Sequence, residues 1–368
     1  MMRVLVILVA LCAASGARAQ LFLGLGHLPG GVGGKAFGVS ADGRVVVGIG
    51  DSDVSDREPF RWTAAGMQGL GLMPNGLFAS CNAVSGDGST AVGEMILPSQ
   101  AYRWTLAGGY ELLDVLPGYT GGSSQAYAVS GDGSVVVGES VSTLGVHQAF
   151  RWNEAQGMQP LGFLPGGTSS VATGVSADGS VIVGYGDSSN GASEAFRWTE
   201  GDGMQGLGDL AGGNFFSSAA DVSADGSIVV GTGSGTLGQD AIHQVGAADM
   251  ESLGNFAAHA FGVSGDGSVI VGQAAFGFGH IDEAFVWDRD HGIRRLATVL
   301  ATDLHLDLST WYLGPALAVS ADGNTIVGWG TDPAGHVEAW LARLPEPDAA
   351  LLQVAALAVL AALGWRER

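Results

Sequence analysis

Carboxylates are the side chains in this sequence that most clearly could do chemistry, and seven of them recur in one short motif. Each aspartate precedes a glycine: Asp42, Asp87, Asp132, Asp178, Asp225, Asp266 and Asp322. Paired carboxylates can act as acid and base in glycoside hydrolysis, or can hold a cation. Asp-Gly is also what a tight hairpin turn requires, and its presence in every copy favours that role. We therefore expect turn-forming aspartates, not a catalytic pair.

Two further groups of side chains could bind a cation. Asp51, Asp53 and Asp56, with Glu58 nearby, resemble an oxygen-rich calcium loop, although the full alternation of ligands is missing. We expect no required cofactor and keep calcium at these aspartates as an alternative. The densest mixed group flanks one predicted strand and comprises His280, Asp282, Glu283, Asp288, Asp290 and His291. We expect solvated loop residues there, with a metal site as the alternative.

Composition and motifs exclude several classes of function. The sequence contains no G-x-S-x-G, H-E-x-x-H or phosphate-binding P-loop motif. A net charge of −21, from 36 acidic and 15 basic residues, repels phosphate backbones and anionic membrane surfaces. The two cysteines are Cys12 and Cys81, and Cys12 lies in a predicted leader, so no disulfide framework is expected. The sequence predicts a protein that is not an enzyme and does not bind nucleic acid.

One segment, V-S-[AG]-D-G, recurs seven times and sets the expected fold. Its serines are Ser40, Ser85, Ser130, Ser176, Ser223, Ser264 and Ser320, which are 45, 45, 46, 47, 41 and 56 residues apart. This period is typical of a four-stranded propeller blade. Each copy reads as a strand, an Asp-Gly turn, an apolar strand such as Val135 to Gly138, an aromatic strand such as Phe150 to Trp152, and a fourth strand. The sequence predicts an all-β, seven-bladed β-propeller with its aromatic side chains packed between blades.

The two ends of the repeat region are complementary. Leu21 to Gly31 matches the last strand and connector of a unit, whereas the seventh copy stops at its third strand, Ala339 to Ala342. A fourth strand donated by the N-terminus to the last blade would close the ring and protect its edges. An open solenoid with capping units is the structural alternative.

Two copies depart from the pattern. The fifth replaces its aromatic strand with Ala241 to Val245, so we expect that blade to be the most loosely packed. The stretch Ile293 to Trp311, before the seventh copy, is an insertion. Its apolar residues Leu296, Val299, Leu300, Leu304 and Leu308 have roughly helical spacing, which predicts a short helix.

The N-terminal segment 1–19 has the pattern of a cleaved signal peptide. Arg3 is followed by the apolar run Val4 to Ala14, and Ala17 and Ala19 form an A-x-A cleavage site. The apolar run is too short to span a bilayer. We expect signal peptidase to cleave before Gln20 and the protein to be exported.

The repeat motifs together resemble a known family. A-F-x-W, G-M-x-x-L-G-x-L-P-G-G and V-S-x-D-G-S-x-V-V-G look like the extracellular HAF repeat over roughly Leu21 to Arg343. The stretch Leu306 to Trp311 also resembles the penultimate part of such proteins. This resemblance implies export and a repeat fold over residues 20–343, and it implies no catalytic activity.

The C-terminal segment 344–368 resembles a PEP-CTERM sorting signal. Pro345, Glu346 and Pro347 precede an apolar run from Ala349 to Trp365, and Arg366 and Arg368 lie in the basic tail. The resemblance implies transient retention in the inner membrane through a transmembrane helix, then processing near Pro345 by an exosortase-type sorting enzyme. An ordinary C-terminal membrane anchor is the alternative. We expect the protein at the cell surface or in the extracellular matrix.

The expected strand order divides the disc into two faces. One face carries the near-identical Asp-Gly turns, and the other carries variable segments such as Glu139 to Ala149 and Trp329 to Ala339. Variable loops on a rigid scaffold usually carry recognition. We therefore expect a binding or structural module whose partner, an extracellular polysaccharide or a surface protein, meets the variable face. A secreted propeller hydrolase or lyase acting on polysaccharide is the alternative function.

Overall fold

The computed structural model describes residues 21–72, 78–97, 99–189, 191–236, 238–254, 257–276 and 283–344. Within these ranges the chain forms seven four-stranded antiparallel sheets and one short helix. Six sheets are formed by four consecutive strands, and the seventh combines strands from both ends of the chain. The predicted seven-bladed β-propeller is confirmed.

Blades 1 to 6 follow one another along the sequence after the N-terminal strand β1 (Phe22–Gly24). Blade 1 contains β2 (Gly34–Val39), β3 (Val46–Gly50), β4 (Glu58–Thr63) and β5 (Gly66–Gly69). Blade 2 contains β6 (Phe78–Val84), β7 (Thr90–Ile96), β8 (Gln100–Thr105) and β9 (Gly109–Leu112). Blade 3 contains β10 (Ser123–Val129), β11 (Val136–Val141), β12 (His147–Asn153) and β13 (Gly157–Pro160).

The second half of the ring repeats this order. Blade 4 contains β14 (Ser170–Val175), β15 (Val181–Asp187), β16 (Ser193–Thr199) and β17 (Gly203–Gly206). Blade 5 contains β18 (Ser217–Val222), β19 (Ile228–Gly235), β20 (Gly238–Val245) and β21 (Glu251–Ser252). Blade 6 contains β22 (Ala258–Val263), β23 (Val269–Ala274), β24 (Glu283–Asp288) and β25 (Gly292–Arg295), and helix α1 (Leu296–Thr302) follows it.

Blade 7 is completed by the N-terminus, as the sequence predicts. It contains β26 (Tyr312–Val319), β27 (Thr325–Thr331) and β28 (Val337–Arg343), with β1 as its outer strand. In this antiparallel pair Leu23 lies opposite Leu341. The Leu25 amide also donates to the Ala339 carbonyl at 2.9 Å, and the Arg343 amide donates to the Leu21 carbonyl at 2.8 Å. The ring is therefore closed by backbone pairing, and the open solenoid is excluded.

A small residue in each of the two inner strands makes room for the aromatic residue of the third. In blade 3, Ala126 lies opposite Gly138, and Gly138 lies opposite Phe150. Phe150 and Trp152 are buried in a cluster with Val92 of blade 2 and with Leu116 of the connector that follows blade 2. The predicted packing of aromatic side chains between blades is confirmed for this pair. The tryptophans at the same position in three other blades, Trp104, Trp198 and Trp287, are half-buried.

The two irregular copies fold as variants of the same blade. In blade 5, Ile242 is buried where other blades have an aromatic residue, and β21 is only two residues long. The predicted helix is present as α1, and its Leu296, Val299 and Leu300 pack in the core between blades 6 and 7. Leu304 and Leu308 lie beyond its last residue, and both pack against the same core from the following loop.

Candidate functional site

The seven aspartates of the Asp-Gly steps are part of their turns. Ser40 donates its hydroxyl to Asp42 at 2.7 Å, and the same hydroxyl accepts the amide of Val45. The same serine to aspartate bond occurs in all seven copies, where the serines are buried. Hydrogen bonds from Ser180 and Ser176 hold the pKa of Asp178 below its ordinary value. In each step the glycine adopts a positive φ, for example 68° at Gly43, whereas none of the seven aspartates does.

Backbone groups around the central axis join the blades on this Asp-Gly face. The Ala41 amide donates to the Gly86 carbonyl at 2.9 Å, and the last bond of the circle runs from the Ala321 amide to the Ala41 carbonyl at 3.1 Å. Five further bonds complete the circle, and their donors are Asp87, Gly131, Ala177, Ala224 and Gly265. This circle explains why the residue before each aspartate is alanine or glycine, because the chains approach closely there. The Asp-Gly face therefore has a structural role, which is to hold the blades together.

The calcium candidates Asp51, Asp53 and Asp56 do not form a three-ligand cluster in this part of the structure. The Asp51 carboxylate accepts the amides of Val32, at 3.0 Å, and Gly33, at 2.5 Å, and so fixes the connector that leads into blade 1. Asp53 and Asp56 are exposed. Glu58 is buried, and it accepts the Ser52 hydroxyl and the Gly71 amide.

The mixed cluster near β24 is held by ion pairs. Asp288 accepts from His291 at 2.7 Å and from Arg294 at 2.7 Å. Glu283 pairs with Arg295, whose Nη2 lies 2.7 Å from Oε1. Asp290 is exposed at the tip of this hairpin. These contacts support the interpretation of the described members as surface residues, and His280 and Asp282 lie outside the described residues.

The variable face has polar and aromatic side chains on the first and second strands of several blades. Lys35 lies over the Trp329 ring, with Nζ 4.1 Å from its centroid. Elsewhere on this face, the Tyr127 hydroxyl donates to Glu139 at 2.9 Å, and the burial of Tyr127, followed by the nearby charge of Glu139, raises the pKa of that tyrosine. Tyr185 of β15 is 37% exposed, and the burial of the rest of its ring, followed by the nearby charge of Glu139, raises the pKa of that tyrosine. We refer to Lys35, Trp329, Tyr127, Glu139 and Tyr185 as the mouth residues.

Sequence reasoning missed one group on the same face. His27, Asp332 and Glu338 each offer one ligand atom, and these atoms lie within 4.8 Å of one another; among the described residues they form the one such group of three. His27 is in the connector after β1, whereas Asp332 and Glu338 are at the hairpin between β27 and β28. A departure from the repeat was the available signal, because Leu72 and Phe163 occupy the position of His27 in other copies.

The other predicted site residues lie outside the described residues. These are Ala17 and Ala19 of the signal peptide and Pro345, Glu346, Pro347, Arg366 and Arg368 of the sorting signal. Within the described ranges, no helix has the length and apolar character needed to cross a membrane. Cys81 lies within the described residues. It is buried and forms no disulfide bond, and burial raises the pKa of its thiol to about 12.

No protein-family model and no curated protein matches the sequence. Solved structures do match. Puromycin hydrolase has a TM-score of 0.54 at 15% identity, covering 85% of this chain and 54% of that chain. The β-propeller domain of the Trilobed protease from Pyrococcus furiosus has a TM-score of 0.53 at 10% identity, covering 83% and 95%. TolB from Acinetobacter baumannii has a TM-score of 0.49 at 14% identity, covering 71% and 62%.

The likenesses to puromycin hydrolase and to the Pyrococcus domain show the fold, a β-propeller, and at such identities they show the fold alone. This chain spans just over half of the puromycin hydrolase chain and less than two thirds of the TolB chain. The Pyrococcus domain has an open velcro topology, whereas in this chain β1 pairs with β28 and closes the ring.

Proposed function

We propose that this protein is an exported binding and structural module of the cell surface or extracellular matrix, without catalytic activity. The observation that carries the proposal is the contrast between the two faces. The Asp-Gly face uses its aspartates in turns and its backbone in a closed circle of hydrogen bonds. The variable face presents the mouth residues on a scaffold fixed by that circle, which is how rigid folds usually present recognition groups.

The chemistry of the mouth residues favours a polysaccharide as the partner. Tyrosine and tryptophan offer an apolar ring face, and tyrosine also offers a hydroxyl group. Carboxylates such as Glu139 accept strong hydrogen bonds from hydroxyl groups. The net charge of −21 disfavours acidic polymers, so a neutral or cationic polysaccharide fits best.

Signals at both termini support export. The A-x-A site at Ala17 and Ala19 favours cleavage of a leader, and the P-E-P step followed by an apolar run and a basic tail favours sorting through the membrane. Signal peptidase and an exosortase-type enzyme would then be the processing partners. A plain anchor would place the same module permanently on the membrane surface.

Binding to immobilised polysaccharides tests the function directly. The purified protein is presented with neutral, cationic and acidic polysaccharides, and we expect retention on one of the first two. Tyr185→Ala and Trp329→Ala should each weaken retention, because both rings belong to the mouth residues. Leu106→Ala is the matched control, because Leu106 is 78% exposed in the β8–β9 turn on the Asp-Gly face.

Two outcomes would contradict the proposal. Equal retention of all variants would remove the mouth residues from recognition. Release of shortened oligosaccharides by the intact protein, with the activity lost in a mouth variant, would favour the hydrolase or lyase alternative.

A further inference from the structure

The two ends of the propeller chain meet at a group of potential metal ligands. His27 belongs to the connector after β1, and Asp332 and Glu338 belong to the β27–β28 hairpin, so the group spans the seam where the ring closes. One ligand atom from each residue lies within 4.8 Å of the other two. The Gly26 amide donates to Glu338 across this seam at 2.9 Å, which ties the connector directly to the hairpin.

Backbone hydrogen bonds fix the two carboxylates in place. Glu338 is 8% exposed, and its Oε1 is held by Gly26. Asp332 accepts the amides of Ala334 at 2.9 Å and His336 at 2.7 Å, so the turn that contains it orients its carboxylate. Ligands that are already oriented lose little entropy when an ion binds.

The imidazole supplies an independent sign of a missing partner. Nδ1 of His27 is buried from solvent and has no hydrogen-bond partner among the described residues. Buried polar atoms in folded proteins are nearly always satisfied, so an unpaired nitrogen in a histidine that lies beside two carboxylates calls for an explanation. The His336 ring lies edge-on to the His27 ring, with centroids 6.3 Å apart, and its Nδ1 is 3.4 Å from Asp332 Oδ2.

The glutamate of this group recurs in other blades, whereas the histidine does not. Glu58 and Glu194 occupy the position of Glu338, and they accept the amides of Gly71 and Gly208 in the same way. A glutamate at this position is therefore a structural feature of the blade. His27 distinguishes the seam from blade 1, where the equivalent residue is Leu72.

We propose that His27, Asp332 and Glu338 bind a divalent transition-metal ion of the zinc class, which joins the N-terminal connector to the last blade. One imidazole nitrogen and two carboxylate oxygens are ligands that zinc accepts, and an imidazole disfavours calcium or magnesium. Two carboxylates so close together also repel one another without a cation. Three protein ligands leave one position of a tetrahedral site for water.

A metal ion bound at the seam would also affect the stability of the closed ring. A metal ion at the seam binds the closed ring and not a ring whose N-terminal strand has separated, because the ligands then lie on separate segments. The ion would thus stabilise the β1–β28 pairing that completes blade 7. The proposal does not depend on the polysaccharide-binding function, since none of its three ligands is a mouth residue.

Zinc binding by the purified full-length chain tests the proposal. The protein is treated with a chelator, dialysed, and titrated with zinc chloride by calorimetry, and its Tm is measured with and without zinc. We expect one ion per chain and a higher Tm with zinc. His27→Leu should abolish the site while keeping the fold, because leucine occupies this position in blade 1.

Two carboxylate variants and one control sharpen the test. Asp332→Asn keeps an acceptor for the turn amides, and Glu338→Gln keeps an acceptor for the Gly26 amide, so both should fold and should bind zinc about tenfold more weakly or worse. Glu194→Gln is the matched control from blade 4 and should bind zinc like the parent chain. Cobalt absorption adds a readout independent of stability, because His27→Leu should remove the visible bands of nitrogen and oxygen coordination.

The proposal is overturned if the parent chain binds no zinc or cobalt at concentrations that saturate ordinary protein sites. It is equally overturned if His27→Leu binds zinc with unchanged affinity and stoichiometry, because the ion then does not need the His27 imidazole. A response to calcium that exceeds the response to zinc would also contradict it.

Discussion

Gly24 of the N-terminal strand lies directly opposite Trp340 of the last strand. A Cβ atom at Gly24 would collide with the Glu338 carboxylate and would lie 3.0 Å from the Trp311 ring. Phe22, two residues earlier, meets Trp311 edge-to-face with centroids 5.1 Å apart. The closing strand is thus fitted to a tryptophan-rich surface, and its pairing is specific.

The closure predicts a large effect of substitutions at Leu25. Leu25 is buried, and its amide donates to the Ala339 carbonyl. Leu25→Ala should lower the free energy of unfolding by about 2–5 kcal/mol through the cavity it leaves. Leu25→Pro should cost about 1–3 kcal/mol more, because it also leaves a carbonyl without its donor. Urea unfolding of the two variants checks this, and equal losses would mean that the backbone bond contributes little.

Trp152 predicts the strength of packing between blades. Its ring is buried between blades 2 and 3, and the Arg103 guanidinium lies 4.9 Å from the ring centroid. Trp152→Ala should cost about 3–5 kcal/mol in chemical denaturation, since the neighbouring strands cannot fill the cavity. Trp104→Ala, at the same position of blade 2, should cost less because Trp104 is half-buried. A loss below about 1 kcal/mol at Trp152 would contradict the packing described.

Gly138 predicts intolerance to a single methyl group. A Cβ atom at Gly138 would collide with the Gln125 carbonyl oxygen, and the corresponding glycine of the other blades has the same constraint. Gly138→Ala should destabilise the protein by about 1–3 kcal/mol or more. Gly201→Ala is the control, because nothing lies within 4 Å of a Cβ atom there. Thermal unfolding should leave that control within about 0.5 kcal/mol of the parent chain.

The repeat explains how much of the fold could be predicted from the sequence. The recurring V-S-[AG]-D-G motif indicates one turn per blade, and so gives the number of blades. Residues Leu21 to Gly31 match the fourth strand that the last copy lacks, and so predict the closure of the ring. The circle of backbone bonds does not follow, because the alanine or glycine before each aspartate indicates only a small residue. The backbone group to which that small residue is hydrogen-bonded lies in the neighbouring blade.

The departure from the repeat at His27 marks one of the seam ligands, but no local pattern joins it to Asp332 and Glu338. Gly26 and Glu338 are 312 residues apart, and ring closure alone brings them within hydrogen-bond distance. The sequence instead directed attention to Asp51, which is followed closely in the chain by Asp53 and Asp56. In the structure that side chain stabilises a connector by accepting two backbone amides.

The C-terminal signal predicts a measurable change of mass. If the P-E-P step marks a sorting site, protein released by cells should lack Ala349 to Arg368. Intact mass spectrometry of the released and membrane fractions checks this. Replacing Pro345, Glu346 and Pro347 with alanine should leave the full-length chain in the membrane fraction. Unchanged processing of that variant would contradict the sorting interpretation, whereas retention of the unaltered chain in the membrane fraction with Ala349 to Arg368 still attached would favour the plain anchor.

Asp221 predicts an unusual dependence of stability on pH. It lies on the innermost strand of blade 5, where neighbouring blades have Gly174 and Gly262, and burial raises its pKa to about 6. Its carboxylate accepts the amides of Val222 at 2.8 Å and Val263 at 3.1 Å, and these bonds only partly offset the desolvation. The folded protein therefore holds a proton on this carboxyl more tightly than the unfolded chain does.

The sign of the effect follows from that shift. Below about pH 4 the carboxyl is protonated in both states and carries no penalty; the penalty grows as pH rises towards 6 and is complete above it. Asp221→Asn removes the charge but keeps an acceptor for only one of the two amides, because Val222 and Val263 donate to different carboxylate oxygens. The variant therefore lacks one hydrogen bond at both pH values, but it does not carry the charge penalty that the parent chain has at high pH. Relative to the parent, its free energy of unfolding should rise by about 1–3 kcal/mol between pH 4 and pH 7.5. Urea unfolding of both chains at the two pH values measures this, and an equal difference between variant and parent at both pH values would contradict the raised pKa of Asp221.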